Sequence, residues 1–145
     1  MKGEEYMGLR EISLGIFLAI SAIIDIKRKE VSIKLLIIFG VVGLGLYIIG
    51  RPISLMEEIG GILIGALILL LYRVTKGEIG EGDGWLLIVT GIFLGISRNF
   101  ELLMSGLLLA AVCSLFLILF KKADKKKELP FIPFLFLGYM GMVIL

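Results

Sequence analysis

The chain has 145 residues, a net charge of +2 and a hydrophobic content of 59%. A soluble domain of this size is nearer about 45–50% hydrophobic, so this composition, with a mean hydropathy of +1.06, excludes an ordinary soluble domain and indicates a polytopic membrane protein. One cysteine, Cys113, and the absence of histidine also exclude a disulfide framework, a cysteine-rich zinc module and histidine-based acid–base chemistry. Carboxylates therefore become the leading candidates for catalysis.

Six apolar segments in chain order predict an all-α membrane protein, a bundle of six transmembrane helices. They cover approximately residues 9–24, 34–50, 58–72, 84–97, 102–120 and 131–145. A helix needs about 20 residues to cross a hydrocarbon core about 30 Å thick, so the shorter segments must recruit flanking residues or lie in a thinned bilayer. Residues 1–145 are expected to form a single transmembrane domain. Its first helix is expected to be retained, because residues 1–10 lack a signal-peptide pattern.

The basic residues predict the orientation of the chain in the membrane. If the first, third and fifth loops face the cytoplasm, they hold 11 of the 15 Lys and Arg residues. These are Lys27, Arg28, Lys29, Lys34, Arg73, Lys76, Lys121, Lys122, Lys125, Lys126 and Lys127. Because cytoplasmic loops are enriched in basic residues, both termini are expected outside, and the acids that follow the first helix and precede the fourth at the cytoplasmic surface.

Two GxxxG motifs predict close helix contacts. They run from Gly61 to Gly65 and from Gly91 to Gly95. Residues without a side chain let helix backbones approach each other in lipid. The motif supports a compact bundle and indicates no chemistry.

The third predicted loop ends in Gly80-Glu81-Gly82-Asp83, immediately before the fourth predicted helix. An aspartate in this place can be a routine helix cap after a flexible loop. Glycines on both sides also remove Cβ atoms, so that an extended substrate backbone can approach the carboxylate. The other acid that closely follows an apolar helix on the same predicted side is Asp25. Two carboxylates that share a proton can hydrolyse a peptide bond, one as general base towards water and the other as general acid.

Three features at helix boundaries resemble those of the type IV prepilin peptidase family, whose members are GxGD aspartyl proteases. They are Asp25 just past the first helix, the GxGD motif that ends at Asp83, and the stretch Glu128-Leu129-Pro130-Phe131-Ile132-Pro133-Phe134 at the start of the sixth helix. The last is similar to the family's late Pro-Phe-x-Pro-Phe stretch. The resemblance spans nearly the whole chain and implies an intramembrane aspartyl endopeptidase with Asp25 and Asp83 as its catalytic residues.

The chain also departs from the family pattern. Val31, Ser32 and Ile33 stand where the family usually has Ile-Pro-Asn after its first aspartate, a departure that bears on the shape of the first loop and the substrate range rather than on the aspartate pair. Larger members carry paired Cys-x-x-Cys motifs in an N-terminal insertion and methylate the trimmed pilin. The chain instead resembles the short, peptidase-only form, similar to archaeal preflagellin peptidases and the compact peptidases of tight-adherence pilus systems.

The resemblance implies a substrate class and a location. The expected reaction is removal of short basic leaders, called class III signal peptides, from type IV prepilin-like or preflagellin-like precursors. The cut usually follows a glycine and lies at the cytoplasmic face of the cell membrane, just before the apolar helix of the precursor. No metal or other cofactor is expected. The expected partners are these precursors and membrane lipid, with no nucleic acid.

Six residues near the two aspartates are predicted to bind substrate or shape the site: Gly80, Glu81, Gly82, Glu78, Pro130 and Pro133. The two glutamates can attract the lysines of a leader, or they are solvated loop acids. The two prolines can break the start of the sixth helix and form a groove for a partly unwound substrate, or they mark a plain helix start.

Helix dipoles predict how the two acids divide their roles. Asp83 lies at the start of the fourth helix, where the dipole favours a carboxylate, and Asp25 lies at the end of the first, where it disfavours one. Asp83 is therefore predicted to be the general base and Asp25 the general acid. Lys27 and Arg28 oppose this assignment by favouring an ionised Asp25.

Two other classes of function stay open. In a transporter or channel, Asp25 and Asp83 would line a cation or proton path, which predicts acids deeper within helices and helix-breaking residues at midspan. In a catalytically silent scaffold of a pilus or secretion system, the fold would be present without the chemistry.

Overall fold

The computed structural model describes residues 2–50, 53–76, 81–120 and 130–144, and its regular secondary structure there is α-helical. In chain order the helices are α1 (Lys2–Arg28), α2 (Ile33–Gly50), α3 (Leu55–Val74), α4 (Glu81–Leu119) and α5 (Ile132–Ile144). The prediction of an all-α protein is confirmed. Three helices, α2, α3 and α4, are long and apolar enough to cross a membrane, which agrees with the prediction of a membrane protein.

The described part of the chain has five helices rather than the predicted six. The fourth and fifth predicted segments form one helical element, α4, which continues through the loop expected between them. The chain bends at Gly95 instead, where φ is 79° and ψ is 179°. Glycine reaches a positive φ without the steric cost that a Cβ atom imposes, so the bend falls on a residue that tolerates it.

The two arms of α4, residues 81–94 and 96–119, fold back on each other at this bend. Residues twelve positions apart in a straight α-helix are separated by about 18 Å, yet Nδ2 of Asn99 donates to the carbonyl oxygen of Leu87 at 3.0 Å. The Thr90 hydroxyl donates to Oδ1 of Asn99 at 2.6 Å, and Asn99 also donates to the carbonyl of Gly61 in α3 at 3.0 Å. A fully buried side chain, Asn99, therefore joins both arms to α3.

The prediction that both GxxxG motifs allow close helix contact is confirmed. A Cβ atom added to Gly61 would lie 2.6 Å from the carbonyl oxygen of Gly91 and 2.8 Å from the carbonyl carbon of Gly95. One added to Gly65 would lie 2.8 Å from the carbonyl oxygen of Gly84. The backbones of α3 and α4 therefore touch directly, and this is the most extensive helix contact in the described structure.

The centre of the protein is formed by α1, α4 and α5, with α2 and α3 against α4. Its largest fully buried apolar side chains are Tyr139, Phe17, Leu14, Leu18, Leu86, Leu87, Leu102, Ile132 and Leu135. In contrast, α2 buries only Gly43, and its other side chains are at least partly exposed. The packing of α1 and α4 on α5 brings the C-terminal end of α1 next to the N-terminal end of α5.

Candidate functional site

Asp25 lies in the last turn of α1, and only 8% of its surface is exposed. Its Oδ2 accepts a hydrogen bond of 3.1 Å from the backbone N–H of Ile132, the first residue of α5. The first N–H groups of a helix have no partner within the helix. The start of α5 therefore supplies a donor that fixes the position of this buried carboxylate.

The two prolines flank the residue that donates to Asp25. Pro130 precedes α5, and Pro133 lies in its first turn, where a residue without an N–H group loses no helical hydrogen bond. The N–H groups of Phe134 and Leu135 donate to the carbonyl of Phe131 at 3.0 and 3.2 Å. The prolines therefore lie at a regular helix start, and a substrate groove at this place stays a prediction.

Asp83 lies in the first turn of α4 and is half-buried. The neighbouring charge that acts on its carboxylate is that of Asp25. Two carboxylates that act on each other in a partly buried site do not both ionise readily, so such a pair tends to hold one proton between its members. The fold thus brings together the two aspartates that were singled out in the sequence.

In the structure, helix dipoles do not distinguish the general base from the general acid. Asp25 does lie at the C-terminal end of α1, but its carboxylate also accepts the N-terminal N–H of α5. Asp83 lies at the N-terminal end of α4. Both carboxylates are therefore next to the positive end of a helix dipole. The assignment of Asp83 as base and Asp25 as acid stays a prediction without dipole support.

The glycines beside Asp83 contact the protein's own side chains. A Cβ atom on Gly82 would lie 2.6 Å from Cγ2 of Val31, in the loop between α1 and α2, and one on Gly84 would lie 2.8 Å from the side chain of Leu69. Val31 is half-buried and packs against the core. The space at Gly82 that was expected to admit a substrate backbone is thus filled by Val31.

The remaining predicted site residues are exposed or lie outside the described residues. Oε1 of Glu81 accepts a hydrogen bond from Nε1 of Trp85 at 3.4 Å, with both side chains exposed at the start of α4. Glu78 and Gly80 belong to residues 77–80, outside the described part of the chain. Within the described ranges, no cluster of three or more His, Cys, Asp or Glu residues has the arrangement of a metal site.

Sequence reasoning missed a second buried polar group, formed by Arg10 of α1 and Glu58 of α3. Arg10 is 4% exposed and Glu58 is 3% exposed. Nη2 of Arg10 lies 3.9 Å from Oε2 of Glu58 and donates to the carbonyl oxygens of Ile92 and Phe93 at 2.7 Å each. A signal was present in the sequence, because a charged residue at the edge of an apolar segment is costly unless it finds a partner.

Fold and site together define a helical membrane protein in which the ends of α1, α4 and α5 surround a pair of aspartates. The sequence profile described as the Type IV leader peptidase family matches residues 12–119. This range covers more than half of the chain and includes both aspartates, so the chain belongs to the Type IV leader peptidase family. The predicted resemblance is confirmed, and the family supports a leader-peptidase-like function. Neither a curated protein nor a solved structure matches the chain.

The contact between Gly82 and Val31 can be tested by a compensating pair of substitutions. Gly82→Ala is expected to lower peptidase turnover about tenfold, because the new Cβ displaces either Val31 or the first turn of α4. That turn carries Asp83, the predicted catalytic residue, and small misplacements of a catalytic group are costly. Val31→Ala in the same chain removes Cγ2 and is expected to restore most of the turnover. Initial rates of precursor cleavage measure both effects, with Val31→Ala alone as the control. An equal loss in the single and double variants would contradict this contact.

Proposed function

We propose that this protein is an aspartyl leader peptidase in which Asp25 and Asp83 form the catalytic pair. The observation that carries the proposal is the pairing of two partly buried aspartates, far apart in sequence, at the ends of adjoining helices in a member of a peptidase family. A carboxylate beside another carboxylate is harder to ionise, because like charges repel each other. Two carboxylates that share one proton can act together as general base and general acid, so a catalytic role explains why they lie together.

The proposed reaction uses the singly protonated pair. The ionised carboxylate takes a proton from water, whose oxygen attacks the carbonyl carbon of the scissile peptide bond, while the protonated carboxyl donates to the carbonyl oxygen. As the tetrahedral intermediate collapses, one member of the pair takes a proton from a hydroxyl of the intermediate while the carbonyl re-forms, the C–N bond breaks, and the other member donates a proton to the leaving amine. One proton remains on the pair at the end of the cycle. The N–H of Ile132 holds one oxygen of Asp25 and so restricts the orientation of its carboxyl group.

The proposed substrates are prepilin-like or preflagellin-like precursors with short basic leaders. Both aspartates are close to the ends of long helices, Asp25 at the end of α1 and Asp83 at the start of the apolar helix α4, which suits a cut just before the apolar helix of a membrane-inserted precursor. Exposed Glu81 near the pair can attract the basic residues of a leader. These features support the substrate class that the family resemblance implies.

We propose that the pair acts at the cytoplasmic face of the cell membrane. The support is the cluster of basic residues beside Asp25, formed by Lys27, Arg28, Lys29 and Lys34, since cytoplasmic loops are enriched in Lys and Arg. If each arm of α4 crosses the bilayer once, and α1, α2, α3 and α5 each cross it once as well, the five helices make six crossings. Both termini then lie outside, as the charge distribution predicts.

The test is incubation of the purified protein with a prepilin-like precursor that carries a basic leader and a glycine before its apolar helix. Mass spectrometry of the product is expected to show loss of the leader after the glycine. The trimmed N-terminus is expected to be free and unmethylated, because a carboxylate pair hydrolyses but supplies no methyl group. A chelator is expected to leave the rate unchanged, because the proposed pair activates water without a metal ion.

Two outcomes would contradict the proposal. One is an uncleaved precursor together with proton flux through proteoliposomes that is lost in Asp25→Asn, which would favour a proton path. The other is a rate that falls with chelator and recovers with a divalent metal. A precursor whose glycine is replaced by a bulky residue is the matched control for site-specific cleavage.

A further inference from the structure

The ion pair between Arg10 and Glu58 lies far from the aspartates along the helices that carry them. Arg10 precedes Asp25 by fifteen residues of α1, a distance of about 22 Å in a helix. The side chains of Arg10 and Glu58 are only 5% and 4% exposed. Within the described part of the chain, Nη1 of Arg10 and both carboxylate oxygens of Glu58 lack a hydrogen-bond partner. These charges are therefore buried at a considerable cost in hydration.

Arg10 binds the place where the first arm of α4 ends. The bend at Gly95 interrupts the regular helix, and the last carbonyl groups of a helical segment lack partners within it. Nη2 of Arg10 donates to two of these carbonyls, those of Ile92 and Phe93, at 2.7 Å each. Hydrogen bonds from a charged donor are stronger than neutral ones. Arg10 therefore acts as a cap on the bent end of this arm.

Other contacts between α1 and α4 are few. Among the pairs of helices that touch, α1 and α4 have the smallest contact. A cavity of about 60 Å³ borders Arg10, Phe93 and Arg98, next to the buried side chains of the core. The two hydrogen bonds from Arg10 are a direct polar connection between α1 and the first arm of α4.

We propose that Arg10, held by Glu58, is a positioning residue for the aspartate pair. The helix α1 carries Arg10 near one end and Asp25 near the other, and the first arm of α4 carries Phe93 at one end and Asp83 at the other. A fixed contact between α1 and the first arm of α4 near Gly95 also fixes the relative position of their opposite ends, which carry Asp25 and Asp83. The inference rests on the proposed function, because positioning matters through the chemistry of the pair.

The first test replaces both charges at once. Arg10→Met together with Glu58→Met removes the ion pair while keeping similar volume, a change that is often neutral or stabilising. We expect the thermal unfolding temperature to stay within a few degrees, while kcat for precursor cleavage falls about tenfold or more, because displacement of a catalytic group by about 1 Å is costly. The matched control is Glu11→Gln with Arg98→Gln, which removes the 3.7 Å ion pair between half-exposed side chains that also borders the cavity. This control is expected to keep the wild-type kcat.

Two readouts separate positioning from a loss of folded protein. If Asp83 moves away from Asp25, the repulsion within the pair weakens, and the high-pH limb of the rate profile shifts to lower pH. A smaller folded fraction scales the rate at every pH and leaves the profile in place. Trp85, the only tryptophan, follows Asp83 by two residues, so quenching of its fluorescence by acrylamide reports on the start of α4 without any substrate.

The outcomes separate this inference from the proposed function. If the wild type cleaves no precursor, the proposed function fails, while changed Trp85 quenching in the double Met variant still supports positioning. If that variant does not fold, Arg10→Lys replaces it, because a lysine keeps the charge but loses the fork that reaches two carbonyls. A folded variant with wild-type kcat, wild-type pH profile and wild-type quenching overturns the inference, as does a loss of thermal stability alone.

Discussion

Asp25→Asn and Asp83→Asn are each expected to abolish precursor cleavage, with a fall in kcat of at least about 10³-fold. In the proposed mechanism both carboxyl groups handle protons in one transition state, and an amide neither accepts the proton from water nor donates one to the leaving amine. The fold is expected to survive, because Asn at position 25 keeps a carbonyl oxygen that can accept the N–H of Ile132. Circular dichroism and membrane insertion check the fold, and product mass measures the cleavage.

A double variant and a control sharpen this prediction. Residues that act as a unit are not additive, so Asp25→Asn with Asp83→Asn is expected to be no slower than either single variant. Glu101→Gln, at an exposed acid in the second arm of α4, is expected to cleave at the wild-type rate. Near-normal turnover in either single aspartate variant would refute the catalytic pair.

Gly91→Ala is expected to lower the free energy of unfolding by about 3 kcal/mol, the upper part of the usual range for overpacking. A Cβ atom at this position would overlap the carbonyl oxygen of Gly61 and lie 2.8 Å from the backbone nitrogen of Ile62. Backbone atoms inside a helix cannot move aside as a flexible side chain can, so α3 and α4 must separate. Because α4 carries Asp83 at its start, cleavage is expected to fall as well.

Gly45→Ala is the matched control in α2. A Cβ atom added there would have no neighbour within 4 Å, so the stability is expected to change by less than about 1 kcal/mol. Thermal unfolding of both variants in the same detergent gives the comparison. Equal stability of the Gly91 and Gly45 variants would show that the direct backbone contact between α3 and α4 is not needed.

Local sequence was sufficient to single out the two aspartates as catalytic candidates and to predict the start of the last helix. A carboxylate flanked by glycines at a helix start, a second one near the end of an apolar helix and two prolines near a helix start are short patterns in the chain. The catalytic role of the aspartates stays a prediction. Local sequence was not sufficient to predict what lies against Gly82. Whether its missing side chain faces a substrate or Val31 depends on the path of a loop about fifty residues earlier in the chain.

The position of the break between the two arms of α4 was also decided by tertiary contacts rather than by local sequence. Hydropathy predicted a loop between residues 97 and 102, because Arg98, Asn99 and Glu101 interrupt the apolar run. In the structure the interruption falls at Gly95 instead, and residues 97–102 are helical. The side chain of Asn99 is buried there with partners at Leu87, Thr90 and Gly61. Burial of a polar side chain is favourable only where it finds such partners, and hydropathy does not show them.

The sequence by itself determined the class of the protein, its helical content, the glycine faces that allow close packing, and the chemical type of its catalytic candidates. These follow from composition and short spacing, since a lipid environment demands long apolar helices and a histidine-free chain leaves mainly carboxylates. Only the tertiary structure decided that the N–H of Ile132 supports Asp25, that α4 reverses at Gly95, and that Arg10 and Glu58 are buried as a pair. Each of these depends on contacts between distant segments, where burial sets the energy of a polar group and no local pattern encodes it.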